Sequence, residues 1–268
     1  MTFIRDNIRK TFFVSVILIL SFSTSLTAYA QGVDDMDYIV HAGGQIGDYT
    51  GTNSYEALVS SYMMGCHFIE LDMNFTSDGV LVCVHDWDTD YFRMGKPVGQ
   101  ALSYNEFQRA RVLREYTPLT LEKLARWLSA RPNVYIITDI KENNLEGLKY
   151  ISDKYGYIKN QFIPQIYSEG EYSYVKDMGY ENIIYTLYAL DYNQKTDTEE
   201  IVRFANENKL LGITFSSELA TDDYIKELKK AGVKLFTHTV NSKSEMERLK
   251  EMGIDGIYSD YIPTKLMP

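Results

Sequence analysis

Short runs of β-branched and aromatic residues alternate with stretches of helical periodicity along this chain, and that alternation constrains the fold most strongly. Nine runs are predicted strands: Tyr38–His41, Phe68–Asp72, Leu81–His85, Val134–Asp139, Phe162–Ile166, Ile183–Leu187, Gly212–Ser216, Lys234–Thr239 and Gly256–Ser259. The predicted helices include Ser54–Met64, Tyr104–Glu115, Leu121–Ala130, Leu145–Lys154, Thr198–Asn208, Asp222–Ala231 and Ser242–Met252. Strands and helices that alternate over short loops are typical of an α/β protein with a parallel sheet.

Length favours a closed barrel over two smaller domains. A (β/α)8 barrel typically takes about 250 residues, and no Pro- or Ser-rich linker divides the 268-residue chain. We therefore predict a single TIM-type (β/α)8 barrel domain over residues 31–268, with nine candidate strands for eight positions. The segment between Phe68–Asp72 and Leu81–His85 is too short for a helical crossover. The second and third strands are therefore predicted to be joined by a helix-free connection.

Residues 1–30 have the organisation of a secretory signal peptide. A basic segment containing Arg5 and Lys10 precedes the apolar run Thr11–Phe22, and Ala28-Tyr29-Ala30 has the small-residue pattern of a cleavage site. A transmembrane helix needs about 20 apolar residues, so a cleaved signal is favoured over an uncleaved anchor. We expect an extracytoplasmic protein, secreted or held at the cell envelope, without a membrane span after cleavage.

Charge and cysteine content narrow the functional classes. Lys and Arg total 27 against 37 Asp and Glu, which gives a net charge of −10. Nucleic acid is therefore not an expected partner, because the chain offers no local basic patch to bind its phosphates. Cys66 and Cys83 each lie in a strand-like run, so we expect buried thiols. A disulfide between them is the alternative, since export would permit one.

Two predicted strand ends bring carboxylates together. Glu70 and Asp72 are two residues apart in a strand, so they share a face at its C-terminal end, where barrel active sites are built. Asp139 and Lys141 repeat this spacing at another strand end. Adjacent carboxylates repel unless a cation or a proton lies between them. Three of them suit Ca²⁺ or Mg²⁺, although solvated charges and a plain Asp139–Lys141 ion pair are alternatives.

Histidines are predicted at the same rim. His41 ends the first predicted strand and His85 ends the third, and an ordinary imidazole pKa near 6.5 suits proton transfer. A structural hydrogen bond is the alternative for each. Asn53 precedes an amphipathic stretch, so an N-cap role alone would explain it. His67 and His238 are first interpreted as structural, although His238 lies near a late strand end and could line the pocket.

Taken in order, these residues resemble the signatures of the glycerophosphodiester phosphodiesterase family, which is related to the phosphoinositide phospholipases C. The family's His-Arg-Gly, Glu-Asn-Thr, Glu-Leu-Asp, Thr-x-Asp-Gly and His-Asp elements are similar to His41-Ala42-Gly43, Thr52-Asn53-Ser54, Glu70-Leu71-Asp72, Thr76-Ser77-Asp78-Gly79 and His85-Asp86. Later elements are similar to Pro118–Glu122, Asp139-Ile140-Lys141, His238–Asn241 and Gly253–Asp260. The matches extend from residue 41 to residue 260 in the family's order.

The resemblance implies a fold and a set of roles. It implies a (β/α)8 barrel whose divalent metal is held by Glu70, Asp72 and Asp139, with His41 and His85 as the acid and the base. Such a site suits a phosphodiester, because the reaction needs positive charge near the phosphoryl oxygens as negative charge develops there. The order of the two histidine roles is left open by the sequence.

The resemblance also implies a small phosphodiester substrate. Its phosphate would lie between the metal and Lys141, with Asn53 and His238 in the substrate-binding region. The chain departs from the family at several of these positions, which have Ala42 for Arg, Thr52 for Glu, Asp139 for Glu and His238 for Trp. These departures indicate a divergent subfamily and affect substrate identity more than reaction type.

The expected function is therefore secreted, metal-dependent hydrolysis of glycerophosphodiesters or of related phospholipid head-group or cell-surface glycerol-phosphate diesters. Three alternatives stay open at this point. The first is a catalytically weak module on the same barrel that binds phosphodiesters or wall polymers. The second is a phospholipase D-like lyase that forms a cyclic phosphate, and the third is an unrelated barrel enzyme.

Overall fold

A computed structural model describes residues 32–88 and 99–262. Its strands are β1 (Tyr38–Val40), β2 (Phe68–Phe75), β3 (Leu81–Cys83), β4 (Leu119–Thr120), β5 (Tyr135–Asp139), β6 (Phe162–Ile166), β7 (Ile184–Thr186), β8 (Gly212–Ser216), β9 (Lys234–His238) and β10 (Gly256–Ser259). Its α-helices are α1 (Tyr55–Met63), α2 (Tyr104–Arg109), α3 (Leu121–Leu128), α4 (Asn144–Tyr155), α5 (Tyr172–Asp177), α6 (Tyr192–Thr196), α7 (Thr198–Asn208), α8 (Asp222–Leu228) and α9 (Lys243–Glu251). The predicted signal peptide, residues 1–30, lies outside the described residues.

Eight of these strands close into a parallel barrel. Their order around the barrel is β1, β2, β5, β6, β7, β8, β9 and β10, and β10 pairs with β1 again. The barrel closes where its first and last strands pair. Tyr38 of β1 pairs with Ile257 of β10, while Val40 of β1 pairs with Ile69 of β2. Helices lie between consecutive barrel strands. The predicted TIM-type (β/α)8 barrel is confirmed.

The interpretation of Leu81–His85 as the third barrel strand is wrong. The connection from β2 is helix-free as predicted, but β3 returns antiparallel to the end of β2, with Met73 opposite Cys83. A turn fixes the reversal: Thr76 N donates to Val80 O (2.9 Å), and Thr76 Oγ1 donates to Asp78 (2.7 Å). The barrel strand after β2 is β5. Between them β3, α2 and β4 form an insertion at the C-terminal end of the barrel strands, and α3 completes the crossover.

The barrel interior changes character along each strand. Its lower part is an apolar cluster that includes Ile39, Phe68, Ile137, Ile184 and Phe236. Alternate residues of a strand face the same side, so the next inward positions toward the C-terminal ends belong to the residues two further on. These are polar in most strands: His41, Glu70, Asp139, Gln165, Thr186, Thr214, His238 and Tyr258. The interior is therefore an apolar floor under a polar layer.

Two glycines make room for Phe236 in the barrel floor. A Cβ on Gly212 would lie 2.3 Å from Phe236 Cε2, and a Cβ on Gly256 would lie 2.2 Å from Met36 O and 2.6 Å from Phe236 Cδ1. Gly212 and Gly256 belong to the strands on either side of β9. The Phe236 ring therefore fills space that side chains at both neighbouring positions would occupy.

Several element boundaries differ from the sequence expectations. The predicted helix Tyr104–Glu115 ends at Arg109, because Ala110 is extended with a ψ of 171°. Leu113 and Arg114 then adopt left-handed φ angles of 54° and 64° in a tight turn. Helices α5 and α6 were not predicted; each has only five or six residues, too few to establish a helical period.

The remaining structural expectations can be compared directly. Cys66 and Cys83 are both free and buried, which confirms the thiol interpretation over the disulfide. His67 has the structural role expected of it, since its Nδ1 lies 3.1 Å from Asn133 O. Within residues 32–88 and 99–262, no helix combines the length and the apolar character that crossing a membrane requires.

Candidate active site

Three carboxylates meet at the C-terminal end of the barrel. Glu70 and Asp72 share one face of β2, and Asp72 pairs in register with Asp139 at the end of β5. One oxygen from each residue lies within 4.8 Å of the other two. Glu70 and Asp72 are buried, with exposed fractions of 2% and 1%. The predicted cluster is therefore present as a compact, desolvated group rather than as solvated strand ends.

The charges of this cluster are not balanced by the chain alone. Burial, together with the neighbouring Asp72 carboxylate, raises the pKa of Glu70 well above its ordinary value. The same two causes raise the pKa of Asp139. Lys141 Nζ lies 3.5 Å from Asp72 and 3.6 Å from Asp139, so one ammonium serves two carboxylates. The Asp139–Lys141 ion pair considered from the sequence exists, but as part of a larger group.

Glu70 supplies the strongest sign that a cation completes the cluster. Its Oε2 accepts a hydrogen bond from the Ala42 backbone N–H at 2.7 Å. Its Oε1 is buried and accepts no hydrogen bond from any residue that the structure describes. A buried carboxylate oxygen without a partner is unfavourable. Oxygen donors from three carboxylates are also the ligand set that hard divalent cations prefer, so Glu70, Asp72 and Asp139 fit a divalent metal.

Asn53 orients one of these carboxylates. Its Nδ2 donates to Asp72 Oδ2 at 2.8 Å, and its Oδ1 accepts from the Asp72 backbone N–H at 3.0 Å. The N-cap role considered from the sequence is wrong, because Ser54 caps α1 by accepting from Ala57 N. Both polar ends of the Asn53 side chain are thus bonded to Asp72, and the chain accepts a left-handed φ of 46° there.

His41 is held by Asp260, a residue from the other end of the sequence, which Asn241 fixes in turn. Its Nδ1 lies 2.8 Å from Asp260 Oδ1, and its Nε2 lies 3.9 Å from Glu70 Oε2. Asn241 donates to Asp260 Oδ2 at 2.6 Å and accepts from the Asp260 N–H at 2.9 Å. Burial alone would lower the pKa of His41, but the hydrogen bond to Asp260 and the charges of Glu70 and its neighbours raise it from 6.5 to about 9.

The contact with His41 also shifts the pKa of Asp260, in this case downward. Burial acts against its ionisation, yet the hydrogen bonds with His41 and Asn241 hold the pKa of Asp260 below its ordinary value. The sequence comparison with the family quoted Asn241 and Asp260 within the last two elements but gave neither a role. The available signal was that Asp260 directly follows the last strand, as His41 follows the first.

His85 reaches the site from the insertion. It lies two residues beyond β3, with its Nδ1 against the Asp86 carboxylate and its Nε2 in contact with Lys141 Nζ. An ammonium can only donate, so His85 Nε2 accepts from Lys141 and the ring proton lies on Nδ1, toward Asp86. His41 and His85 therefore approach the carboxylates from separate elements, β1 and the insertion.

Tyr167 is a site residue that the sequence did not reveal. It follows β6, and its hydroxyl donates to Asp139 Oδ1. Its ring packs edge-on against Tyr188, with centroids 5.5 Å apart. The signal was its position, since Gln165 and Tyr167 continue the inward face of β6 toward the rim. Tyr167 therefore fixes one oxygen of Asp139 and leaves Oδ2 turned toward Lys141.

Some of these side chains border a cavity of about 210 Å³ at the mouth of the barrel. His41, Glu70, Asp139 and Lys141 lie on one side of it. The other lining residues are Gln165, Thr186, Tyr188, His238, Thr239 and Tyr258. The cavity thus combines a carboxylate and cationic region with a neutral, hydroxyl-rich and aromatic region.

Comparison with known proteins identifies the family of this chain. Residues 43–264 match the Glycerophosphoryl diester phosphodiesterase family. This chain belongs to that family. A Glycerophosphodiester phosphodiesterase of Bacillus subtilis (strain 168) is 24% identical over 284 residues, which cover 96% of each protein. The predicted classification as a phosphoric diester hydrolase of the glycerophosphodiester phosphodiesterase type is thereby confirmed.

Solved structures agree on the fold. A glycerophosphoryl diester phosphodiesterase from Silicibacter pomeroyi has a TM-score of 0.71 at 17% identity, over 86% of this chain and 91% of that one. A phosphodiesterase from Oleispira antarctica, solved in complex with the product sn-glycerol-3-phosphate, has a TM-score of 0.70 at 18% identity, over 86% of this chain and 94% of that one.

Two departures from the family signatures have structural consequences. Ala42 has a left-handed φ of 48°, is buried, and contributes its backbone N–H to Glu70 rather than a guanidinium to the cavity. His238 borders the cavity, with its Nδ1 3.3 Å from Thr214 Oγ1 and its ring edge-on to Tyr188 and Tyr258. Burial and the positive charges of His41 and Lys141 lower the pKa of His238 to about 4, so it is neutral near pH 7.

Proposed function

We propose that this chain is an exported, divalent-metal-dependent enzyme that hydrolyses small glycerophosphodiesters with His41 and His85 as acid and base. The observation that carries the proposal is a cluster of three carboxylates beside one cavity, in contact with His41 and with a Lys141 ammonium that also touches His85. Two of the carboxylates are buried, and one oxygen of Glu70 has no hydrogen-bond partner among the described residues. Glu70, Asp72 and Asp139 would hold the metal. A bound Ca²⁺ or Mg²⁺ would supply positive charge to the phosphoryl oxygens.

The hydrogen bonds of the two histidines favour one assignment of their roles. Asp260 favours the imidazolium form of His41, so His41 holds a proton that it can give to the leaving alkoxide. The Nδ1 proton of His85 points toward Asp86, so its Nε2 lone pair, which accepts from Lys141 in this structure, can take the proton of the attacking water once the Lys141 ammonium turns to a phosphoryl oxygen. Lys141 lies between His85 and the carboxylates, where its ammonium can bind a phosphoryl oxygen.

Turnover by the 268-residue chain tests the reaction. We expect hydrolysis of glycerophosphocholine and of bis(p-nitrophenyl) phosphate that is lost with chelator and restored by Ca²⁺ or Mg²⁺. His41→Ala and His85→Ala should each lower turnover by about 10²- to 10⁴-fold. A cyclic phosphate that accumulates before the open product would instead indicate the lyase reaction. Retained phosphodiester binding with no turnover under any divalent metal would contradict the enzymatic proposal.

Export is a separate part of the proposal. It is supported by the basic segment, the apolar run and the Ala28-Tyr29-Ala30 pattern of residues 1–30. Mass spectrometry of the protein recovered outside the cytoplasm should give a chain that begins at Gln31. Recovery of the full-length chain in the cytoplasm alone would contradict it, whatever the outcome of the turnover assay.

A further inference from the structure

Two hydroxyl groups in the active-site cavity are unsatisfied. Thr186 and Tyr258 both border the cavity and are 0% and 2% exposed, and neither hydroxyl forms a hydrogen bond with any part of the chain that the structure covers. Both lie on the inward face, two residues after Ile184 and Gly256. A buried hydroxyl without a partner is unfavourable. Such groups are retained where a ligand or an ordered water completes them.

His238 adds a third polar group to the same wall. Its ring lies edge-on to Tyr258, with centroids 6.3 Å apart, and Thr214 engages its Nδ1 at 3.3 Å. That contact leaves Nε2 as the ring nitrogen that can meet a ligand. Thr186 and Tyr258 each lie one inward position nearer the barrel floor than Tyr188 and Asp260 on the same strands. Tyr258 also pairs in register with Ile39, two residues before His41, so its level is nearer the floor than that of His41.

We propose that Thr186, Tyr258 and His238 form a subsite that hydrogen-bonds the hydroxyl groups of the substrate's glycerol moiety. This inference rests on the proposed function, and it assigns specificity to residues outside the carboxylate cluster. The phosphate is bound at the upper end of the cavity by the carboxylate and Lys141 region, and the polyol extends from there toward the floor.

The chemistry of the wall favours a polyol over other ligands. Thr and Tyr hydroxyls and a neutral imidazole can each donate and accept, as alcohol hydroxyls do. A second phosphate or a carboxylate offers acceptors only, and it would face the buried Glu70 charge. The cavity of about 210 Å³ has room for a small group such as glycerol.

Two ligands that differ only in hydroxyl groups test the subsite. Glycerol 3-phosphate and propyl phosphate have the same three-carbon chain and the same charge, and calorimetry on the full chain gives the ratio of their affinities with Ca²⁺ and with chelator. We expect the wild type to bind glycerol 3-phosphate about tenfold more tightly, since each hydrogen bond contributes a few-fold to tenfold. Thr186→Val and Tyr258→Phe should each reduce that preference to about twofold.

Thr237 provides a matched control. Its hydroxyl is also buried and unpaired within the described residues, but Thr237 does not border this cavity. Thr237→Val should therefore keep the full preference. Thr186→Ser keeps the hydroxyl and should restore the preference lost in Thr186→Val, which separates recognition from a general loss of folding.

Three results would overturn the subsite. These are a wild-type ratio near one, an unchanged ratio in both Thr186→Val and Tyr258→Phe, and an equal loss in Thr237→Val. Failure of the proposed function has a different signature. In that case no glycerophosphodiester is hydrolysed, whereas the affinity ratio and its dependence on Thr186 and Tyr258 persist.

Discussion

Replacing Asp260 with Asn removes one charge from the contact that holds His41 while keeping the shape of the side chain. In the wild type, Asp260 Oδ1 lies 2.8 Å from His41 Nδ1. An Asn amide at this position can donate to Nδ1, which places the ring proton on Nε2, beside Glu70. We expect turnover to fall by about 10²- to 10⁴-fold, the range associated with losing a correctly protonated histidine.

The same substitution should change stability in a pH-dependent way. The pKa of His41 is raised from 6.5 to about 9 in the folded chain. The contribution of protonated His41 to the free energy of unfolding is therefore complete below pH 6.5 and disappears as the pH rises through 9. The pKa of Asp260 in the folded chain is lowered below its ordinary value of 3.8. The contribution of ionised Asp260 to the free energy of unfolding is therefore present above pH 3.8 and is lost as the pH falls through the lowered pKa of the folded chain. A hydrogen bond between charged groups contributes about 1.5–3 kcal/mol. We expect Asp260→Asn to lower the free energy of unfolding by this amount near pH 6 and by much less near pH 10.

Urea unfolding at pH 6 and pH 10 measures the free energy of unfolding of the wild type and of Asp260→Asn. Chelator is present throughout, so that no bound cation repels the protonated His41. Asp255→Asn is the matched control, because Asp255 precedes the same strand at the opposite end of the barrel, where it pairs with Lys229 at 2.7 Å. That variant should keep turnover within about twofold. An equal loss of stability for Asp260→Asn at both pH values would refute a charged His41–Asp260 pair. Unchanged turnover would refute its role in orienting His41.

Three further predictions concern the metal site and the barrel floor. Glu70→Gln should raise the melting temperature in chelator, because it removes a buried charge, and should abolish the stabilisation by Ca²⁺; a wild-type response to Ca²⁺ would exclude Glu70 as a ligand. Tyr167→Phe should lower the Ca²⁺ affinity measured by calorimetry by about tenfold, because Asp139 loses the hydrogen bond that orients it. The control Tyr180→Phe loses a 2.8 Å hydrogen bond to Leu148 O away from the site and should keep the Ca²⁺ affinity. Gly256→Ala should lower the free energy of unfolding by about 1–3 kcal/mol. Gly156→Ala, whose Cβ would meet nothing within 4 Å, should be near neutral in the same urea titration.

The barrel could be predicted because each of its strands is marked locally. Runs such as Phe162–Ile166 and Gly212–Ser216 have the same bounds in the sequence prediction and in the structure. The run Leu81–His85 is wrongly predicted as a barrel strand because an apolar run does not specify whether its partner is parallel or antiparallel. That choice depends on the Thr76–Val80 turn, whose hydrogen bonds are contacts between particular side chains and backbone groups rather than a periodic pattern.

Sequence spacing predicted the Glu70–Asp72 pair directly, and strand ends predicted the other rim residues, but two contacts between residues of different strands were missed. Glu70 and Asp72 are joined by the two-residue period of β2, so sequence spacing places them together. Asp260 and His41 are separated by 219 positions and meet only because β10 pairs with β1. Tyr167 meets Asp139 in the same manner, through the pairing of β5 with β6. Contacts of this kind follow from the order of strands, which the local pattern does not contain.

One property of the inward face connects the fold to the reaction. Along β2 this face runs from Phe68 through Glu70 to Asp72, and along β9 it runs from Phe236 to His238, so each strand passes from apolar to polar within two to four residues. Because the apolar positions pack into one floor, the depth of the cavity is set by the same contacts that stabilise the barrel. A substrate can therefore extend inward only as far as the layer of Thr186 and Tyr258, beneath which Ile184 and Phe236 leave no polar partner. Under the proposed subsite, the bound moiety is therefore one short enough to place its phosphate at the carboxylate rim and its hydroxyls at that layer.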